Sequence, residues 1–264
     1  MPRAIHIELP TLQAIYLRPS TAAGPLSTAT GVVAKSPIGK LCLVTNRHVV
    51  TGLHQDTNEV LSKTGATPDR LLAAIPISTG PINWNLQTLP LVDADWKNLW
   101  HEHPKLGGKA DIVALELPEI DGAEQFSFDM NAPTVAAVSP AETLSVIGYP
   151  FGLPAGGLNQ LGLPSAGYFG IWATGSVASE PAIDHDGLPV FLVDCRTRQG
   201  QSGAPVLFSR PPGAGVPDAA GNTSFYSGRY NEFFGLYSGR LNQESDIGRV
   251  WKKAAIAELL TCLT

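Results

Sequence analysis

The stretch Arg198-Gln-Gly-Gln-Ser202-Gly-Ala-Pro-Val-Leu-Phe208 places a serine between glycines, immediately before an apolar segment. An apolar run that follows a turn is typical of a β-strand. Gly200 allows the backbone to turn so that its N–H and the N–H of Ser202 can point at one spot, where they could stabilise a developing negative charge. A serine between glycines is otherwise an ordinary turn, so this motif has to be weighed with others.

Two further motifs precede it in the chain, and each supplies a titratable side chain beside a predicted strand. Leu43-Val-Thr-Asn-Arg-His48 runs from an apolar strand into a polar turn, and Ala110-Asp-Ile-Val-Ala-Leu-Glu-Leu117 begins an apolar strand with Asp111. Imidazole can accept a proton near neutral pH, and a partly buried carboxylate can hold its tautomer. Alone, the histidine is more often structural and the aspartate more often caps a turn. Together they predict a serine nucleophile with its base and an orienting acid.

Residues 45–49, 110–115 and 200–205 resemble the three active-site signatures of the trypsin/chymotrypsin-like serine peptidase superfamily, in the family's own order. Within this superfamily, the sequence most resembles small intracellular bacterial trypsin-like peptidase domains. The resemblance implies a serine endopeptidase that forms an acyl-enzyme, in which Ser202 attacks, His48 accepts its proton and Asp111 orients His48. Gly200 and Ser202 would form the oxyanion hole.

The resemblance also implies that the protein needs no cofactor and that its partners are protein or peptide substrates. A cytosolic protease endangers its host, so we expect narrow or partner-gated specificity, with a regulatory protein as a further partner. In relatives made as zymogens the residue before the serine is an aspartate that pairs with a newly cut N-terminus. Here it is Gln201, so we expect an enzyme that is competent as translated or is controlled by a partner or ligand.

The substrate pocket is less sharply predicted. By the resemblance, Arg196 and Thr197 lie at the floor of the main specificity pocket, and Ser238 lies on the strand beside the substrate, where it can also support Asp111. A cationic floor would favour an acidic substrate side chain. Alternatively, Arg196 or Arg198 pairs with Asp194 or another carboxylate of the protein, because a buried guanidinium without a partner is costly.

Composition narrows the classes of function. The 264 residues are 44% apolar and 16% charged, with a net charge of −5, which indicates a globular protein and disfavours nucleic acid as a partner. No stretch approaches the roughly 20 apolar residues of a membrane-spanning helix, and the first residues do not form a signal peptide. We therefore expect a cytoplasmic protein without a membrane partner, whose three cysteines are buried thiols.

Turn residues between short apolar segments predict an all-β protein. The length allows one large domain or two small barrels, and the resemblance selects two six-stranded antiparallel β-barrels with a C-terminal α-helix. The first barrel would cover 1–122 and carry His48 and Asp111, the second would cover 123–243 and carry Ser202, and the helix would cover 244–264, with its N-cap at Ser245 or Asp246. Residues 121–125 would connect the barrels. Strands are predicted at 14–17, 30–34, 41–45, 71–77, 112–117, 143–147, 170–178, 190–194, 204–208 and 233–237, and long surface loops at 153–167 and 209–230.

Other interpretations stay open at this point. A catalytically silent module that binds a protein could have the same fold, and so could an esterase or other acyl transferase. His101-Glu-His103 and Asp184-His-Asp186 have spacings that a metal could use, but each lacks the second pair of ligands of a zinc site. Residues 56–59 lack the fixed glycine of a calcium-binding EF-hand. We predict no metal site.

Overall fold

The computed structural model describes residues 6–118, 120, 123–242 and 244–263. It confirms the predicted fold class, since the described residues form mostly β-strands with a short C-terminal helix. The strands are β1 (Ala14–Thr21), β2 (Gly24–Pro25), β3 (Ala29–Lys35), β4 (Leu41–Thr45), β5 (Arg70–Ser78), β6 (Ile82–Pro90), β7 (His101–Glu102), β8 (Val113–Glu116), β9 (Glu124–Gln125), β10 (Thr143–Gly148), β11 (Ile171–Val177), β12 (Val190–Asp194), β13 (Pro205–Arg210), β14 (Gly215–Pro217), β15 (Thr223–Phe225), β16 (Tyr230–Arg240) and β17 (Ile247–Lys252). The α-helices are α1 (Leu9–Gln13), α2 (Arg47–Thr51) and α3 (Lys253–Leu259), and 3₁₀ helices span Pro150–Gly152 and Leu260–Leu263.

The second half of the chain forms a closed antiparallel barrel of six strands, in the order β10, β11, β12, β17, β16 and β13. Side chains alternate between the two faces of a strand, and the inward set fills the barrel with buried apolar residues such as Val146, Phe191 and Phe208. Closure leaves no unpaired strand edge along this ring. The barrel therefore holds β13, which follows the Ser202 motif, between two hydrogen-bonded neighbours, β10 and β16.

The first half forms a nine-stranded sheet, whose main path runs through β6, β5, β1, β3, β4, β8 and β7. Its six longer strands are the first six on that path, while β2, β7 and β9 have two residues each. Strand β3 is buried from Ala29 to Ala34 because its two faces pack in different cores. Val33 lies in the apolar cluster of this half, and Val32 and Ala34 face a second cluster shared with the barrel.

That shared cluster joins the two halves. Val32 and Val44 from the first half meet Leu207 and Trp251 of the barrel, and helix α3 adds Ile256. A fully buried aliphatic side chain typically stabilises a fold by about 1.5–3 kcal/mol, so this shared core fixes the halves against each other. The end of β4 and the start of β13 therefore both lie where the two halves meet. This arrangement positions the residues described next.

The structure corrects the predicted helix at 244–264. Residues Ile247–Lys252 form β17, which pairs with β12 and β16, and the helix spans only Lys253–Leu259. The helical spacing of apolar residues continues through Val250 and Trp251, but closing the barrel requires a strand there, so tertiary pairing overrides the local pattern. Ser245 and Asp246 consequently do not cap a helix.

The remaining predictions concern strands, one loop and the connection between the two halves. All ten predicted strands overlap observed strands, while β6 and the two-residue strands lacked a signal strong enough to be predicted. The loop at 209–230 contains a small hairpin, β14 paired with β15. Of the predicted connection at 121–125, residues 121 and 122 lie outside the described residues, and Glu124–Gln125 pairs with β5 as part of the first sheet.

The three cysteines are free, as expected; Cys42 and Cys195 are buried and Cys262 is partly buried. Burial raises the pKa of the Cys42 and Cys195 thiols to about 11, so both stay protonated at neutral pH. None of the helices formed by the described residues combines the length and apolar character needed to cross a membrane.

Candidate active site

His48 is presented by the short helix α2, which begins directly after β4. Asn46 precedes the helix with extended backbone angles, and Gly52 ends it in the left-handed conformation, with its N–H bonded to the carbonyl of His48. The Asn46 side chain donates a hydrogen bond to the Asp111 carbonyl at 2.8 Å. The strand, the helix and the Asp111 segment are therefore fixed together around the imidazole.

Asp111 is the centre of a hydrogen-bond cluster and is 2% exposed. Its Oδ1 accepts the backbone N–H of His48 at 2.9 Å. Its Oδ2 lies 2.7 Å from Nδ1 of His48 and accepts the Ser238 hydroxyl at 2.9 Å. An ionised carboxylate can only accept, so Nδ1 carries the proton and Nε2 presents its lone pair. A buried carboxylate with three donors is well compensated for its loss of water.

The same pair sets the protonation of His48, whose side chain is 16% exposed. Burial by itself lowers the pKa of this imidazole, because a charged ring is poorly solvated there. The charge of Asp111 and its hydrogen bond act in the other direction and outweigh burial, so the pKa of His48 is raised above its ordinary value. The raised pKa makes the imidazole of His48 a stronger base than a free histidine side chain.

The Ser202 segment is bonded to both halves of the molecule. The Ser202 carbonyl accepts the Thr30 N–H from β3 at 2.8 Å, and the N–H of Gly203 bonds to the carbonyl of Tyr237 on β16, also at 2.8 Å. The Thr30 hydroxyl donates to the Gly200 carbonyl at 2.8 Å. These bonds clamp the serine between β3 and β16 and orient the peptide group that carries the Gly200 carbonyl.

Two glycines are required at this clamp. Gly203 has a φ of 82°, and a Cβ there would lie 1.9 Å from the Thr30 carbonyl oxygen. Gly200 has a φ of 97°, and a Cβ there would lie 2.3 Å from the carbonyl oxygen of Tyr149. Any other residue would combine an unfavourable backbone conformation with a collision. The sequence pattern Gly-x-Ser-Gly is thus explained by close backbone approach.

Gly200 and Ser202 leave two backbone donors available. Both residues line one cavity with His48, and within the described part of the chain neither of their N–H groups donates to another group of the protein. Gln201, between them, is 1% exposed, and its Oε1 accepts the Arg198 N–H at 2.7 Å. A neutral amide therefore holds this loop where zymogen-derived relatives use a carboxylate.

The cavity has a volume of about 580 Å³. His48, Asp111, Gly200, Ser202 and Ser238 all line it. Much of the remaining lining comes from residues 52–68, the segment after α2, and from residues 25–29 before and at the start of β3. Cavities of this size hold several residues of an extended ligand. The arrangement can bring a carbonyl group to a serine, a neutral imidazole and two N–H donors at once.

Residues 29–210 match the family of trypsin-like peptidase domains. The chain belongs to this family. It is a serine-type endopeptidase, a hydrolase that acts on protein or peptide substrates. No curated protein sequence matches the chain.

Solved structures of serine proteases are similar in fold to this peptidase. The serine endoprotease from Yersinia pestis is 13% identical, with a TM-score of 0.52 over 98% of this chain and 67% of that chain. The thermostable serine protease AL20 from an extremophilic microorganism is 11% identical, with a TM-score of 0.50 over 97% and 98% of the two chains. The protease Anisep from Arthrobacter nicotinovorans is 13% identical, with a TM-score of 0.50 over 96% and 98%.

The structure places Arg196 and Thr197, the predicted floor of the peptidase's specificity pocket, apart from the cavity that His48 and Ser202 line. Arg196 is exposed and Thr197 is buried, and neither belongs to the described lining of the cavity. The alternation of the extended chain after β12 explains this, because Cys195 and Thr197 point into the barrel and Arg196 points out. The Thr197 hydroxyl is hydrogen-bonded to the hydroxyl of Tyr237, and both side chains are buried.

The residues with metal-like spacing are engaged in other contacts. His103 lies 3.5 Å from Glu258 and His101 lies 4.0 Å from Glu116. Asp184 pairs with Lys252 on β17 at 2.5 Å. Within the described residues, no group of three or more histidine, cysteine or acidic side chains is arranged to hold a metal ion.

Several residues at the site were not predicted from the sequence. Thr30 gave no local signal, since its role depends on a contact 170 residues away in the chain. Arg240 and Arg249 line the cavity, but Arg249 lies on β17, which the periodicity had assigned to a helix. Only the pairing of β16 with β17 reveals that both arginines belong to the site.

Proposed function

We propose that Ser202 is the nucleophile of this endopeptidase, that His48 is its general base, and that Asp111 orients His48. The observation that carries the proposal is the 2.7 Å contact between Asp111 and Nδ1 of His48, on a cavity that Ser202 also lines. Because Nδ1 donates to Asp111, Nε2 is the ring nitrogen of His48 that can accept a proton. Ser238 acts as a positioning residue through its bond to Asp111.

The chemistry follows from these groups. Nε2 of His48 takes the hydroxyl proton as Ser202 Oγ attacks the substrate carbonyl, and the N–H groups of Gly200 and Ser202 stabilise the resulting oxyanion. His48 then gives the proton to the leaving amine, which leaves an acyl-enzyme, and a water molecule repeats the sequence to release the acid. Loss of one oxyanion donor typically costs about 3 kcal/mol of transition-state stabilisation.

We also propose that the enzyme is competent without N-terminal cleavage. The support is the hydrogen bond from Arg198 N–H to the Gln201 side chain, because it holds the oxyanion loop without a buried carboxylate that would need a new amino terminus. Narrow or partner-gated specificity remains part of the proposal. The 52–68 segment, which forms a cavity wall, is a better place for such control than the 209–230 loop, since no described residue of that loop lines the cavity. The three free cysteines are in keeping with work in the reducing cytoplasm.

The test is labelling of the purified protein with a fluorophosphonate probe, with the adduct located by mass spectrometry. The parent should be labelled on Ser202, and Ser202→Ala and His48→Ala should abolish or strongly slow labelling. Ser27→Ala is the matched control, because Ser27 is a second serine that lines the same cavity and has no role in the proposed chemistry, so this variant should label like the parent. An adduct on another serine, or labelling of Ser202 that is independent of His48, would contradict the proposal.

A further inference from the structure

We infer that this peptidase selects acidic peptides, and that Arg240 and Arg249 recognise the substrate carboxylate. The inference deepens the proposed function and rests on it. Arg196, which the sequence offered as the recognising cation, lies outside the cavity. Arg240 and Arg249 instead line the same cavity as His48 and Ser202.

Their positions follow from the end of β16 and its pairing with β17. Ser238, which bonds to Asp111, is followed two residues later by Arg240. Gly239 lies between them and pairs directly with Arg249 across the two strands. Gly239 has a φ of 117°, and the space around a Cβ added there is open. Arg240 therefore lies on the strand that also carries Ser238, and Arg249 lies on the strand paired with it.

The charge balance of the cavity favours an anionic ligand. Lys63 joins Arg240 and Arg249 in the lining, and the only acidic residues among the described lining residues are Asp56 and Asp111. Asp111 is buried and already accepts three hydrogen bonds. Among the described lining residues, Asp56 is thus the one carboxylate besides Asp111 that accompanies these three cations, on a chain whose net charge is −5. A cleft with one predominant sign of charge attracts ligands of the opposite sign.

Asp56 indicates what the cations bind. Its carboxylate lies 2.9 Å from Arg249 and is half exposed, so this pair faces solvent. Arg240 lies 3.9 Å from Asp246, a longer contact that is also solvent-exposed. Exposed ion pairs are weak and exchange readily, and guanidinium binds carboxylates in a forked geometry. A glutamate or aspartate side chain of the substrate can take the place that Asp56 occupies. We call Lys63, Arg240 and Arg249 the cationic wall.

The experiment begins with a synthetic library of internally quenched decapeptides. The best-cut peptides should contain Asp or Glu near the scissile bond. Each acid in one such peptide is then replaced by its amide, Asn or Gln, which keeps the size and removes the charge. We expect one replacement to lower kcat/KM by about tenfold or more, mainly through KM, as charge-assisted hydrogen bonds are lost.

Variants assign the effect to residues. In Arg240→Gln and Arg249→Gln the preference for acid over amide should shrink severalfold, and in the double variant it should nearly vanish. Arg229→Gln is the matched control, since Arg229 pairs with Glu8 away from the cavity, and it should keep the full preference. Asp56→Asn should strengthen the preference, because it removes the internal competitor for Arg249. An unchanged preference in Asp56→Asn would contradict the inference that a substrate carboxylate takes the place of Asp56 on Arg249.

Fluorophosphonate labelling of Ser202 is measured in each variant and separates the two proposals. Normal labelling combined with equal cleavage of acid and amide peptides overturns the inference and leaves the proposed function standing. Normal labelling with an acid preference that survives the double arginine variant also overturns it, because the recognising group then lies elsewhere. Absence of labelling in the parent would overturn the proposed function, and the inference with it.

Discussion

Two sets of side chains that line the cavity are held by different interactions. The proposed catalytic residues and their supports, His48, Asp111, Gly200, Ser202 and Ser238, are called the catalytic wall; hydrogen bonds to the buried Asp111 and a buried bond from β3 to the serine loop hold them. The cationic wall is held by exposed ion pairs, with Arg249 bound to Asp56 and Arg240 near Asp246.

The comparison indicates how one fold can hold catalytic groups and substrate-recognising groups by different means. A displacement of a catalytic group by an ångström can cost two orders of magnitude in rate, so the catalytic wall is over-determined by bonds within the protein. A recognising cation must exchange its partner for the substrate, so strong internal bonds would be a disadvantage there. Substitutions, pH and salt should therefore act differently on the two walls.

The largest effect is expected from Asp111→Asn. An amide can donate to Nδ1 of His48, which moves the ring proton to Nε2 and removes the proton acceptor from the cavity. We expect kcat/KM to fall by about 10⁴-fold at neutral pH, mainly through kcat. Steady-state cleavage of the best library peptide measures it.

Asp129→Asn is the control, because Asp129 is exposed and only caps a turn at Asn131; it should cost almost nothing. A loss smaller than tenfold in Asp111→Asn would mean that Asp111 does not hold the tautomer. The catalytic wall would then be no more sensitive than the cationic wall.

The next effect concerns stability. Gly203→Ala places a Cβ 1.9 Å from the Thr30 carbonyl oxygen at a φ of 82°, so we expect it to lower the free energy of unfolding by about 3 kcal/mol or more. Gly157→Ala has a similar φ, 72°, but open space around the new Cβ, and should cost about 1 kcal/mol. Urea unfolding of both variants measures the difference. Equal losses would show that backbone conformation alone, and not the contact between β3 and the serine loop, sets the requirement.

The residues of the catalytic wall could be selected from the sequence because most of them lie in short motifs at strand ends, and the structure brings them to one cavity. His48, Asp111, Ser202 and Gly200 each came with local signals, namely an apolar strand beside a polar turn or a glycine beside the serine. Local strand patterns likewise located all ten predicted strands. The supporting contact from Ser238 to Asp111 followed from the family resemblance, since 127 residues separate the two in the chain.

The cationic wall could not be predicted in this way. Arg240 and Arg249 meet the cavity only because β16 pairs with β17, and the helical spacing of apolar residues concealed β17. The placement of Arg196 depends on tertiary structure in the same way. The resemblance gave the position of the pocket floor, but the side of the chain on which Arg196 lies depends on how the backbone leaves β12.

Acid should inactivate the catalytic wall by titration. Burial lowers the pKa of His48 but the charge and hydrogen bond of Asp111 raise it more, so the folded pKa lies above the ordinary value. The base works only when neutral, and kcat/KM should fall tenfold per pH unit below that raised pKa. The contribution of His48 to stability has the opposite trend: it is complete below the unfolded pKa and is lost as pH rises through the folded pKa.

Inactivation through His48 should therefore be reversible, and a neutral peptide should show the same acid limb as an acidic one. Cleavage rates recorded against pH for both peptides, with tryptophan fluorescence as the check on folding, measure this. An acid limb seen only with the acidic peptide would assign the titration to the substrate carboxylate, whose ordinary pKa is about 4.3.

The smallest effect is expected from salt, and it should fall on the cationic wall alone. The range of electrostatic attraction shrinks from about 10 Å at 0.1 M salt to about 3 Å at 1 M, so kcat/KM for the acidic peptide should drop severalfold over that range. Cleavage of its amide counterpart and fluorophosphonate labelling of Ser202 should stay nearly constant, because the bond between Asp111 and His48 is buried and poorly screened. In the double variant Arg240→Gln with Arg249→Gln the salt dependence should largely disappear. Equal salt dependence of acid and amide peptides would show that the attraction acts on the whole peptide, and the distinction between the two walls would then fail.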